Sequence, residues 1–265
     1  MIFVNGKRVY PTQYSDGTPS FEAPLFENYR NININWQYSS MEELFYVAIL
    51  ARHYQETYDS NVVLTMLYIP TARMDRVRED GEIFSLKYFA EIINALNFKM
   101  VRCLDPHSYV VEALIDRISV ESPKEIINRV MALRIPEEDN INLIYYPTAR
   151  ALKYYPSMIN RPYIYGVRDQ DTDEVEIACK EGVVSGKNVL IVNDIIHSGE
   201  VFSDEARQLR MLGARKIYVF ATHCENGAYV NPDLIDRIYT TDSIAHDATG
   251  DFIDHTHWEI INVEI

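Results

Sequence analysis

The chain has 265 residues, 47% hydrophobic and 24% charged, enough to bury one large core or two modest ones. Its net charge of −14 argues against a general binder of nucleic acid or anionic membrane, whose phosphates would be repelled on average, but leaves room for a local basic pocket. Three cysteines beside apolar stretches read as reduced thiols, and neither a leader-like amino terminus nor an apolar run of about 20 residues is found, so a soluble cytoplasmic protein is expected.

In chain order, the first 30 residues are rich in Pro, Gly, Ser and Tyr and show no long period. "NININWQY" then alternates, placing Ile32, Ile34, Trp36 and Tyr38 on one face of a strand. Ser40 and Glu43 have the spacing of a capping box, and "MEELFYVAILARHYQ" continues at helical period. "NVVLTMLYI" reads as a strand buried on both faces, "FSLKYFAEIINALNF" as a helix capped by Ser85, and "KMVRCL" as a strand ending at "DPHS". After the polar, proline-containing segment 134–142 the pattern resumes: strand "INLIYY", a tight polar segment, strands "YIYGV" and "NVLIV", a helix, then strand "KIYVFA". This alternation predicts an α/β protein of two units, each a mostly parallel sheet flanked by helices. The boundary is placed so that the units are 1–139 and 140–265, with the terminal strand able to return to the first.

In open α/β sheets, ligands bind beyond the carboxyl ends of strands. Three such ends carry chemistry here: "YIPTARMDR", "CLDPHS" and "IVNDIIHSGE". In the third, Asp194 could accept hydrogen bonds from the vicinal hydroxyls of a sugar, with Asn193 beside it. Ser198-Gly199 then opens a helix whose amino terminus favours an anion. A plain capping role for Asp194 or Ser198 is the competing reading. Two histidines, His255 and His257 in "DHTHW", share one face of a terminal strand but lack an evident third ligand, and read as structural. The 19 tyrosines read as half-buried strand residues rather than a nucleic-acid platform.

"VLIVNDIIHSGEV" resembles the ribose-phosphate loop of the phosphoribosyltransferase superfamily, in which two acidic residues and two apolar ones precede Asp-Thr-Gly-Gly-Thr. Upstream, "ARMDR", a later Gly-Glu, a Ser-x-Lys and "DPH" follow the order of one branch, the phosphoribosyl pyrophosphate synthetases. Together these motifs imply phosphoribosyltransferase-like units and transfer of the β,γ-diphosphoryl group of ATP to the C1 hydroxyl of a ribose 5-phosphate-type acceptor. The resemblance implies an ATP site at Arg73, Asp75, Arg76 and His107, with Arg73 toward the phosphates and His107 associated with Mg²⁺. It places Asn193, Asp194, His197, Ser198, Gly199 and Glu200 on the acceptor, and Arg168 near the lysine position of the catalytic flexible loop. Arg73, His107 and Arg168 are therefore the catalytic candidates. Small-molecule partners and a homo-oligomer are also implied.

The departures from that pattern carry information. Thr148 stands where a metal-linked aspartate is expected, and Arg150 and Lys153 are other possible cations beside Arg168 for the part of the catalytic loop's lysine. Glu200 replaces a glycine in the phosphate cradle. A carboxylate about 5 Å from a terminal phosphate costs several kcal/mol even at an effective dielectric of about 20, which favours a substituted phosphate such as that of ADP-ribose. A Glu200 that merely faces solvent at the helix start is the alternative. A catalytically silent regulatory homologue and a phosphoribosyltransferase are the rival functions.

Overall fold

The computed structural model describes residues 1–168, 175–245 and 258–263. They divide into two compact units, one of 1–121 with 243–245 and one of 122–242 with 258–263. His255 and His257 lie outside the described residues. Among the described residues no helix is long and apolar enough to cross a membrane.

Unit 1 opens with a hairpin, β1 (Ile2–Val4) and β2 (Lys7–Val9), turned by Asn5 and Gly6 at φ 45° and 79°. A small ribbon of β3 (Thr12–Gln13) and β4 (Pro19–Ser20) follows. Next come β5 (Asn31–Trp36), α1 (Glu43–Tyr58), β6 (Asn61–Thr65), α2 (Ser85–Ala95), β7 (Met100–Leu104), α3 (Val110–Leu114) and β8 (Ile118–Glu121). The sheet order is β2-β1-β5-β6-β7-β8, parallel from β5 to β8. The alternation read in β5 is observed: Ile32, Ile34 and Trp36 are buried. On α1, Tyr46, Val47, Leu50, Ala51 and Tyr54 form the buried stripe, and Asp59 ends the helix at φ 52°.

Three local expectations are corrected. Glu43 does not close a box with Ser40: its carboxylate accepts from the Ser39 N–H at 2.9 Å and the Trp36 indole at 2.8 Å, and pairs with the amino terminus of Met1. Ser85 is the first residue of α2 rather than its cap. The apolar run after Asn61 outlasts its strand, because Met66, Leu67 and Ile69 are buried in an irregular turn tied to β7 through Met66 N–H to Arg102 and Leu104 N–H to Leu67.

Unit 2 contains α4 (Lys124–Leu133), β9 (Leu143–Tyr146), α5 (Ala149–Tyr154), β10 (Tyr163–Arg168), β11 (Val175–Ala178), β12 (Asn188–Ile196), α6 (Glu200–Met211), β13 (Lys216–Cys224), β14 (Arg237–Thr241) and β15 (Trp258–Ile261). The order is β11-β10-β9-β12-β13-β14-β15, parallel except for the edge strand β11. Every residue of β12 is buried, as a central strand covered on both faces requires.

The division between units comes earlier than the expected 139/140 boundary. Polarity misplaced it, because Asp139 is anchored within unit 2: it accepts from the Tyr218 hydroxyl at 2.8 Å and pairs with Arg215 at 2.7 Å. The last described strand stays in unit 2 beside β14. The segment that rejoins unit 1 is 243–245, through a bridge from Ile244 to Tyr38. All three cysteines are free thiols, and burial pushes those of Cys103 and Cys224 up to about 12, which makes them poor nucleophiles at neutral pH.

Candidate active site

In unit 1 the two loaded strand ends converge. Asp75, in the turn after β6, is buried and takes both oxygens' hydrogen bonds from Arg76, at 2.6 and 2.8 Å. The Ser108 hydroxyl, from the end of β7, donates to the same carboxylate at 2.5 Å. "ARMDR" and "DPHS" therefore meet at one carboxylate. Thr71 and Asp105, which begin these two turns, both have left-handed backbones, at φ 65° and 40°. Such strain costs about 1–3 kcal/mol per residue and clusters where a turn must aim its side chains. Arg73 and His107 are each half-buried in these turns, while Arg76 is mostly exposed.

The Arg76 guanidinium holds the Asp75 carboxyl down to about 2, against the opposing effect of burial, with Ser108 assisting. Because this lies below the ordinary value of 3.8, the ionised carboxylate stabilises the fold above about pH 4 and that contribution is lost as pH falls toward 2. Allowing for the exposure of Arg76, about 1–2 kcal/mol is at stake. Asp75→Asn is expected to remove that part of the difference between urea unfolding at pH 5 and at pH 2.5. An unchanged difference would show that Asp75 is not the titrating group.

In unit 2 the site arises from a step in the sheet. β9 pairs with β12 only as far as Ile191, whereas β13 follows β12 to Ile196. The flank of β12 beyond β9 is taken by the start of α5. Thr148 caps that helix, accepting from the Ala151 N–H at 3.1 Å, and its hydroxyl donates to Asn193 Oδ1 at 3.3 Å. Arg150 reaches Asp194, with Nη1 3.5 Å from Oδ1. Asn193 and Asp194 are both buried, at 8% and 2% exposure.

After β12 the loop turns at Gly199, with φ 86°. A Cβ there would lie 2.1 Å from the Tyr229 carbonyl oxygen, so only glycine fits. The Tyr229 N–H also donates to the Ser198 carbonyl at 2.8 Å, clamping the turn beneath the β13–β14 connection. His197 is exposed and pairs through Nδ1 with Glu225 from the end of β13. Ser198 is exposed, and Glu200 is exposed at the first position of α6. Arg168 ends β10 opposite Val175, and 169–174, the rest of the expected flexible loop, lie outside the described residues.

A family model described as the phosphoribosyl synthetase-associated domain matches residues 174–254. The ribose-phosphate pyrophosphokinase of Thermococcus kodakarensis is 28% identical over 191 residues, covering 70% of this chain and 66% of its own. That of Gloeobacter violaceus is 27% identical over 184 residues, covering 67% and 53%. The chain thus spans less than two thirds of either relative. The phosphoribosylpyrophosphate synthetase of Mycobacterium smegmatis superposes with a TM-score of 0.76 over 96% of this chain and 86% of its own, at 14% identity. The chain is thus similar in sequence to ribose-phosphate pyrophosphokinases and in fold to a phosphoribosylpyrophosphate synthetase.

The two motifs of unit 1 and the β12 loop of unit 2 all lie at the carboxyl ends of parallel strands. The departures from the family pattern are now structural facts. Thr148 spends its hydroxyl on a helix cap and on Asn193, and the guanidinium of Arg150 stands beside Asp194. Three partners escaped the sequence reading. Ser108 is only the last residue of "DPHS", and Glu225 and Tyr229 come from a different loop with no spacing relation to the cradle.

Proposed function

We propose that the chain is a diphosphokinase that transfers the β,γ-diphosphoryl group of ATP to the C1 hydroxyl of a ribose 5-phosphate-type acceptor and releases AMP. The acceptor's C1 oxygen bonds to Pβ, the bond from Pβ to the α–β bridging oxygen breaks, and the hydroxyl proton passes to solvent. The observation that carries this reading is the convergence of both unit 1 motifs on Asp75, since a simple phosphoribosyltransferase has no use for that construction. Arg73, Asp75, Arg76 and His107 are assigned to the nucleotide, with Arg73 and His107 acting on its phosphates and Arg168 on the transferred group. Asn193, Asp194, His197, Ser198, Gly199 and Glu200 are assigned to the acceptor.

Magnesium is expected to arrive on the nucleotide. Among the described residues no group of three or more His, Cys, Asp or Glu side chains is placed to hold a metal, and both Asp75 oxygens already accept hydrogen bonds. His107 is the residue assigned to touch the ion, which would neutralise phosphate charge. A homo-oligomer is proposed on family resemblance.

ADP-ribose is the favoured acceptor. The cradle carries Glu200 and the Glu225 of the His197 pair, two carboxylates unsuited to a terminal phosphate dianion. A diester bears less charge per phosphate, and the exposed Tyr229 beside the cradle offers a ring to a distal base. With AMP formation as the readout, ADP-ribose is expected to be used better than ribose 5-phosphate. Glu200→Gly is expected to shift that ratio toward ribose 5-phosphate by about fivefold to a hundredfold. A wild-type preference for ribose 5-phosphate, unmoved by the substitution, would leave Glu200 as a solvent-facing helix-start residue. ATP binding without turnover on either acceptor would instead favour a regulatory role, for which Thr148 is the main argument.

A further inference from the structure

The carboxyl end of β12 has a fixed cation of its own. Arg150, in the first turn of α5, is only 15% exposed and lies 3.5 Å from Asp194. Its Nη1 also donates to the Tyr155 hydroxyl at 3.2 Å, and its guanidinium sits over the rings of Tyr154 and Tyr155, 5.3 and 5.8 Å from their centroids. A carboxylate, a hydroxyl and two ring faces hold the group in place, so little further freedom is lost when it meets a ligand.

The same residues suit a divalent ion poorly. Asp194 is a single carboxylate, its neighbour Asn193 is neutral and accepts from Thr148, and Thr148 stands where the family pattern has an acidic residue. An ion bound to Asp194 would also face the guanidinium across one carboxylate, two positive charges at short range. Magnesium keeps several waters and needs few protein ligands beside substrate phosphates, but the buried carboxylate it would use here, that of Asp194, is already paired with Arg150.

We propose that Arg150 takes the place of a divalent cation at the acceptor end of unit 2, neutralising a diphosphoryl group on C1 while Asp194 holds the adjacent ribose hydroxyls. C1 neighbours the diol, so a cation 3.5 Å from the diol carboxylate is within reach of a C1 substituent. The ligand class is a ribosyl 1-diphosphate, bound without metal. This inference rests on the acceptor assignment made above.

The test is calorimetric titration of the full chain with 5-phosphoribosyl 1-diphosphate, ribose 5-phosphate and ADP-ribose, each in Mg²⁺ and in EDTA. Affinities in EDTA are expected to stay within about threefold of those in Mg²⁺. Arg150→Gln is expected to weaken the 1-diphosphate about tenfold or more and the ligands with a bare C1 hydroxyl by less than about threefold, with Arg150→Lys recovering part of the loss. A merely structural arginine would not discriminate between ligands that differ only at C1. Binding that requires Mg²⁺ would overturn the inference and leave the acceptor assignment standing. So would an Arg150→Gln protein that binds as well as wild type or better, which would make the ion pair a plug. Binding of none of the three ligands, with or without Mg²⁺, would overturn the acceptor assignment and this inference with it.

Discussion

Asp194→Asn is expected to reduce acceptor binding by about a hundredfold to a thousandfold while leaving ATP affinity within about twofold. Asp194 is 2% exposed, so its carboxylate acts in a poorly solvated setting where hydrogen bonds to charge are strong. Losing two such bonds to a ribose diol amounts to about 3–4 kcal/mol, which gives that range of affinity. The asparagine keeps the size of the side chain and removes only its charge. The residues assigned to the nucleotide are those of unit 1 and, for the transferred group, Arg168 on β10, none of them on β12, and this is why ATP affinity should hold. Arg150 loses its carboxylate in the variant, so thermal stability must be measured in parallel, with a cost of up to about 3 kcal/mol expected for a largely buried pair. Equal, small effects on both ligands would show that β12 does not carry the acceptor site.

The second large effect is expected at Gly199. An alanine there must take φ 86° and place its Cβ 2.1 Å from the Tyr229 carbonyl oxygen. The left-handed backbone costs about 1–2 kcal/mol and the displacement of backbone about 1–3 more. Gly199→Ala should therefore lower stability by about 2–5 kcal/mol and abolish acceptor binding, because the turn can relieve the clash only by opening the cradle. Gly17→Ala is the control. Its φ is 83° but nothing lies within 4 Å of the added carbon, so it reports the backbone strain alone. Thermal melts in which the two variants lose equal stability would mean that the Tyr229 contact is soft and the turn is not clamped.

Much of the frame was legible because its elements are long and periodic. β5, β12 and β13 announce themselves by alternation or by unbroken apolar runs, and α1, α2 and α6 by stripes at helical spacing. What escaped notice was short. The hairpin of β1 and β2 carries the Asn5-Gly6 signature of a tight turn, but its three-residue strands are too brief to show a period. α5 has six residues and little room for a stripe. α4 is the exception to this rule of length: it has ten residues, and the stripe of Ile126, Ile127 and Val130 that it buries is legible in the sequence. The site divided in the same way. Residues within one motif, such as Asn193 and Asp194, could be read from their strand end. Contacts joining distant segments could not: nothing in the spacing of Thr148, Arg150, Glu225 or Tyr229 shows that they meet the β12 loop, because only the order of strands in the sheet brings them there.

The most direct test of diphosphoryl transfer is to incubate the chain with Mg²⁺, ADP-ribose or ribose 5-phosphate, and ATP radiolabelled at the β-phosphate, then to follow the label. The account predicts that the label leaves the nucleotide and appears on the acceptor as a C1 diphosphate, in step with unlabelled AMP. Label retained in ADP, with only the γ-phosphate transferred or released, would contradict it.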